Sequence, residues 1–156
     1  MKITLFTSNQ PRHLALVAKI AEIASEVFVV LECRTNFPGI LLDWAPKSPV
    51  MEKYFSYVLK AEENIFGPIQ FLPPNVNVLA LRSGDLNYVD ISTFSSAFDS
   101  DHYIVFGSSY IKGELADFLV GSNAKNIHMG ISPFYRGNSS NFWAIYDGRP
   151  DLVGAT

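Results

Sequence analysis

The chain has 156 residues, of which 48% are apolar and 17% charged. A domain of this length buries roughly two-thirds of its unfolded surface, so the composition supports one packed core and excludes a disordered polypeptide. Twelve Lys and Arg against fifteen Asp and Glu leave a net charge of −3; with no basic cluster, the sequence gives no footing for a nucleic-acid partner.

Cys33 is the single cysteine, which rules out an internal disulfide and fits a reducing cytoplasm. Met1-Lys2 leads directly into a strand-like stretch rather than a signal-peptide core, and no apolar run approaches the roughly eighteen residues that cross a bilayer.

In chain order, Ile3 to Phe6 reads as a strand. Ser8-Asn9-Gln10-Pro11 then supplies the polar cap and proline of a helix start, with Leu14, Val17, Ile20, Ala21 and Ala24 following at helical spacing. Val27 to Leu31 is a β-branched run that predicts a strand buried on both faces. A long loop-like stretch runs from Arg34 to Pro49 and includes Trp44. A helix is expected from Val50 to Phe66, with Met51, Tyr54, Phe55, Val58 and Ile65 on one side and Lys53, Lys60, Glu62 and Glu63 mostly on the other; Gly67-Pro68 ends it.

Val76 to Leu81 predicts a third strand, Ile91 to Phe98 a short helix, and Tyr103 to Phe106 a fourth strand. Lys112 to Val120 and Ser139 to Tyr146 read as helical. Asn126 to His128 falls at the end of a fifth strand, and Leu152 to Thr156 looks like the start of another. Strands alternating with helices imply an α/β layer fold of Rossmann type with a mostly parallel sheet, in which ligands sit beyond the carboxyl ends of the strands. The loops after Phe6, Phe106 and His128 are therefore expected to converge.

The most informative segment is Asn126-Ile127-His128-Met129-Gly130-Ile131-Ser132-Pro133-Phe134-Tyr135-Arg136-Gly137. Asn-x-His, a short apolar loop with proline, then an aromatic residue, a basic residue and glycine resembles the catalytic region of the folate-dependent formyltransferases. Phe106 to Val120 resembles the loop and helix that precede that motif. Over residues 1 to 100 only the order of strands and helices agrees.

The resemblance implies transfer of a formyl group from 10-formyltetrahydrofolate to the amine of a small molecule, with Asn126 and His128 as catalytic residues and no metal. The chemistry suits these side chains. Amine attack on a formyl carbonyl develops a negative oxygen and a positive nitrogen. An asparagine amide donates to the oxygen without adding charge, and a histidine near its ordinary pKa of about 6.5 accepts a proton or, protonated, stabilises the oxygen. Two residues apart on a strand, both would project from one face.

By the same resemblance Gly107, Ser108, Ser109, Tyr110 and Ile111, with Ser132 and Pro133, are expected to meet the folate. Ser8, Asn9, Gln10 and Arg12 stand where an α/β fold often receives an anionic substrate group at a helix N-terminus. Bland roles compete: Gly-Ser turns are common, and Tyr135, Arg136 and Gly137 are expected to shape their loop rather than touch substrate. His13 and His102 read as surface or strand-edge residues, and Tyr54, Phe55, Phe142 and Trp143 as core.

The family's third catalytic residue, an aspartate, lies a short way past the strand that Leu152 begins. No Asp in this sequence occupies that place, and Asp147 and Asp151 do not stand in for it. Residues 1–156 are thus expected to form a formyltransferase catalytic domain incomplete at its C-terminal end. The acceptor expected from the stretch His128 to Trp143 is a nucleotide-linked amino sugar, since the extra domain and basic surface of enzymes acting on initiator tRNA are missing. The rival reading is a truncated, non-catalytic relative that keeps the scaffold and binds folate. A dinucleotide-binding domain is disfavoured because no G-x-G-x-x-G follows the first strand. The oligomeric state is not legible.

Overall fold

The computed structural model describes residues 1–33, 49–67, 71–137 and 139–154. Five strands form one sheet in the order β3-β2-β1-β4-β5, every pairing parallel. They are β1 (Lys2–Ser8), β2 (Glu26–Cys33), β3 (Val76–Arg82), β4 (His102–Phe106) and β5 (Lys125–Asn126), with helices α1 (Pro11–Ala21), α2 (Pro49–Phe66), α3 (Glu114–Gly121) and α4 (Ser140–Tyr146) between and after them. The expected α/β architecture is therefore the observed one.

Side-chain alternation divides the core into two layers. Ile3 and Leu5 of β1 with Val27, Val29 and Leu31 of β2 face Val17, Ile20 and Ala21 of α1. Phe6 and Val30 face the opposite way and pack with Leu86, Phe94, Ala97, Leu115 and Leu119. Burying a Val, Leu or Phe side chain contributes about 1.5–3 kcal/mol, so these two layers are the chief support of the sheet. Because the sheet is parallel, the ends of β1 at Ser8, β2 at Cys33, β4 at Phe106 and β5 at Asn126 all lie on one edge.

Several expectations are corrected. Ile91–Phe98 winds as a 3₁₀ rather than an α-helix, capped by Asp90, whose Oδ1 accepts the Ser92 N–H at 2.8 Å. A three-residue turn stacks side chains at i and i+3, and Phe94 and Ala97 at that spacing are the two that it buries. No strand starts at Leu152: Pro150–Leu152 is a 3₁₀ turn, and Val153 makes an isolated antiparallel bridge with Gly130. Proline with its fixed φ suits the first position of such a turn; residues 155–156 lie outside the described residues.

β5 stops at Asn126, so His128 stands beyond the strand, although the Ile127 N–H still reaches the Val105 carbonyl at 2.8 Å. Glu62, expected on the polar side of α2, is buried and paired with Arg12 of α1. Helix α2 thus docks on α1 through an ion pair, while Tyr54 and Ile65 stay exposed. Phe142 and Trp143 of α4 are half exposed rather than core. Along their own helix Phe142 stacks on Tyr146, and Trp143 lies edge-on to both rings. The loop from Arg34 to Pro49, with Trp44, and the side chains of Met51 and Phe55 lie outside the described residues, save Pro49 itself, which opens α2.

Candidate active site

Asn126 and His128 come from the β5 end and the residues just after it, next to β4, with Asn126 opposite Val105 in the register. Asn126 is exposed, and its carboxamide has no hydrogen-bond partner among the described residues. His128 is held by its own loop: Nδ1 lies 2.9 Å from the Gly130 carbonyl oxygen and Nε2 3.1 Å from that of Gly137. A neutral imidazole has one N–H and donates to one of these oxygens; the doubly protonated ring donates to both. The two side chains were expected to project together from one strand face. Instead the strand ends between them and the His128 ring turns onto residues 130–137.

The loop that carries His128 is tied down at both ends. The Ile131 N–H donates to the Leu152 carbonyl at 3.0 Å and the Gly154 N–H to the Met129 carbonyl at 3.1 Å, so residues 129–131 run beside 152–154. Tyr135 donates its hydroxyl to Asp147 Oδ2 at 3.0 Å. Loss of water around the phenol and then the Asp147 carboxylate push the Tyr135 pKa above its ordinary value. Asp151 sits below the usual carboxylate range because Arg149 donates to it. Tyr135 and Gly137 (φ 79°) thus shape the loop, which also contains a cis Ser132–Pro133 bond, with Ser132 and Pro133 exposed. A shallow cleft of about 130 Å³ lies between Ile127, His128, Met129, Asn141, Val153 and Gly154.

Gly130 is buried where the loop crosses α4. A Cβ there would meet the Cβ of Ser140 at 2.6 Å and that of Tyr135 at 2.7 Å. Gly130→Ala is therefore expected to destabilise the protein by about 1–3 kcal/mol through overpacking, measurable as a lowered urea midpoint. An unchanged midpoint would mean that the loop and α4 separate without cost.

Residues 107–111 follow β4 on the same edge. Gly107 has φ +68°, Ser108, Ser109 and Ile111 are half-buried, and Tyr110 is exposed. Two side chains distant in sequence fix this loop. Asn87 donates from Nδ2 to the Tyr110 carbonyl at 2.7 Å and accepts the Lys112 N–H at Oδ1 at 2.8 Å. Glu32, at the end of β2 and 1% exposed, accepts from the Ser109 N–H at 2.5 Å and the Ser109 hydroxyl at 2.8 Å. Sequence reasoning missed both. A charged residue interrupting an apolar strand, as Glu32 does in Val27-Phe28-Val29-Val30-Leu31-Glu32, was the available signal for the first.

The third group is the β1–α1 corner. Ser8 is buried beside Glu32 in the register, and its hydroxyl has no partner among the described residues. Asn9 and Gln10 are half-buried, and Gln10 caps α1 without a side-chain bond. The Arg12 guanidinium is engaged by Glu62. His13, expected at the surface, is buried: it faces inward one turn before Val17, its ring edge-on to Phe106 at 4.8 Å and beneath Gly107. His102 is exposed, as expected.

Among the described residues no group of three His, Cys, Asp or Glu side chains could hold a metal ion, and no helix is long and apolar enough to cross a membrane. No family model and no curated protein matches the chain. Among solved structures it is similar to phosphoribosylglycinamide formyltransferase from Anaplasma phagocytophilum, with a TM-score of 0.52 and 16% identity over 95% of this chain and 59% of that one. A second similar structure is glycinamide ribonucleotide transformylase 1 from Geobacillus kaustophilus, with a TM-score of 0.49 and 15% identity over 94% and 68%. The chain spans 59% of the length of the Anaplasma protein. Element order, the all-parallel sheet and this similarity together give the chain the Rossmann-like fold of the formyltransferases.

Proposed function

We propose that the protein transfers a formyl group from 10-formyltetrahydrofolate to the amine of a small molecule, with a nucleotide-linked amino sugar as the preferred acceptor, in the cytoplasm. The observation that carries this reading is that the exposed Asn126 at the end of β5, His128 just beyond it and the anchored loop 107–111 after β4 all follow strands ending on one edge of the sheet. The fold shared with a solved formyltransferase supports it.

In this reading Asn126 donates an amide N–H to the formyl oxygen as negative charge gathers there. His128 takes the proton that the amine must lose as its nitrogen bonds to the formyl carbon, and returns one to the folate nitrogen as that C–N bond breaks. Acting as base requires a ring nitrogen free of carbonyl oxygen. Nε2 is the one to be released, since its contact with Gly137 is the longer and more exposed. Gly107 to Ile111 with Ser132 and Pro133 receive the folate. Ser8, Asn9 and Gln10 offer polar groups and the α1 N-terminus to an anionic part of the acceptor, and Arg12 joins them only by sharing its charge with Glu62.

Calorimetry tests the donor. A reduced or formylated folate is expected to bind and a nicotinamide dinucleotide is not; dinucleotide binding without a folate response would overturn the assignment. Transfer is then assayed against a panel of nucleotide-linked amino sugars. Folate binding with no transfer to any amine would leave a folate-binding scaffold in place of an enzyme.

A further inference from the structure

Glu32 is the penultimate residue of a central strand, follows five apolar residues, Val27 to Leu31, and is almost fully buried. A carboxylate left there without partners would be strongly destabilising. It has three, and all of them donate: the Gly84 N–H to Oε1 at 2.7 Å, the Ser109 hydroxyl to Oε1 at 2.8 Å and the Ser109 N–H to Oε2 at 2.5 Å. No cation lies within ion-pair distance among the described residues. Three donors directed at its two oxygens use the acceptor capacity of the side chain and hold it in one orientation.

The placement gives this carboxylate a task. Gly84 belongs to the loop after β3 and Ser109 to the loop after β4, so one side chain from β2 ties two carboxyl-edge loops together. Residues 107–112 have no helix or ladder of their own. Their shape depends on side-chain anchors, Glu32 at Ser109 and Asn87 at Tyr110 and Lys112. Between those anchors the Tyr110 and Ile111 N–H groups have no partner among the described residues.

We propose that Glu32 is the positioning residue of the donor loop, fixing Gly107 to Ile111 in the form that receives the folate. The proposal rests on the reading of that loop as the donor site. Glu32 itself touches no substrate: it acts through Ser109.

Glu32→Gln tests it, because the amide keeps the volume but turns an NH₂ group toward an N–H or O–H donor. Two measurements separate the claim from the function on which it rests. Amide hydrogen exchange on the ligand-free protein should show Gly84 and Ser109 exchanging faster in the variant, with Leu5 and Val29 in the sheet unchanged. The affinity for 5-formyltetrahydrofolate, a stable reduced folate, should fall about tenfold to a hundredfold, the range expected for losing one hydrogen bond to a charged group.

Unchanged exchange at Gly84 and Ser109 would overturn the clamp whatever the ligand does. Faster exchange with wild-type folate affinity would show a clamp that positions nothing. Failure of the wild-type protein to bind the folate would remove the donor site itself, and this role with it. If Glu32→Gln does not fold, Ser109→Ala carries the test: it removes the hydroxyl bond alone, so folate binding should weaken by a smaller factor, and undiminished binding would count against the proposal.

Discussion

His128→Ala is expected to slow formyl transfer from 10-formyltetrahydrofolate by about a hundredfold to ten-thousandfold, the usual worth of positioned general acid-base assistance. Most of the loss should fall on kcat, since the ring acts on a proton in flight rather than on bound substrate. The same ring also stands between the carbonyls of Gly130 and Gly137, so alanine frees two loop oxygens as well as removing a base. His128→Asn separates the two effects: its amide can still donate to a loop carbonyl but cannot carry a proton between amine and folate. Equal losses in the two variants would assign the effect to proton transfer. Retained activity in His128→Asn would reduce the histidine to a loop brace. Asn126→Ala should cost about a hundredfold to a thousandfold by removing one donor to the developing oxyanion; rates equal to wild type in both Asn126→Ala and His128→Ala would remove the mechanism.

How far these residues could be read beforehand depends on the range of the interactions that place them. Strands β1 to β4 were legible within two residues because short apolar runs bounded by polar or Gly/Pro punctuation carry a local signal. The parallel edge that gathers Gly107 and Asn126 follows from strands alternating with helices. The orientation of His128 did not follow, since it depends on where β5 stops, and a two-residue strand is decided by its pairing with Ile104 and Val105 rather than by its own sequence. Glu32, Asn87 and Glu62 escaped for the same reason: each is satisfied by a partner at least 23 residues away, and no spacing rule reaches that far. Burial of His13 was hidden as well, because a histidine at a helix start is ordinarily solvated, and the ring of Phe106 and the absence of a side chain at Gly107, both distant in sequence, help to accommodate it.

That packing gives the largest expected effect on stability. Gly107→Ala adds a Cβ that would overlap Nε2 of His13, at a backbone φ of +68°. The left-handed conformation costs an alanine about 1–2 kcal/mol, and overpacking a tight contact typically adds about 1–3 kcal/mol. Together they predict a loss of about 2–5 kcal/mol, seen as a fall in Tm on the order of 10 °C for a domain of this size. The two causes are separable. In a His13→Ala background the overlap is gone and only the backbone term is left, so Gly107→Ala should cost measurably less there, with a coupling energy above about 1 kcal/mol in the double-mutant cycle. Equal cost in both backgrounds would place the whole effect in the backbone and show that the imidazole yields freely. The loop itself should report the same contact: once the overlap is relieved by His13→Ala, amide exchange at Ser109 should return toward its wild-type rate, because Glu32 still holds that residue from below.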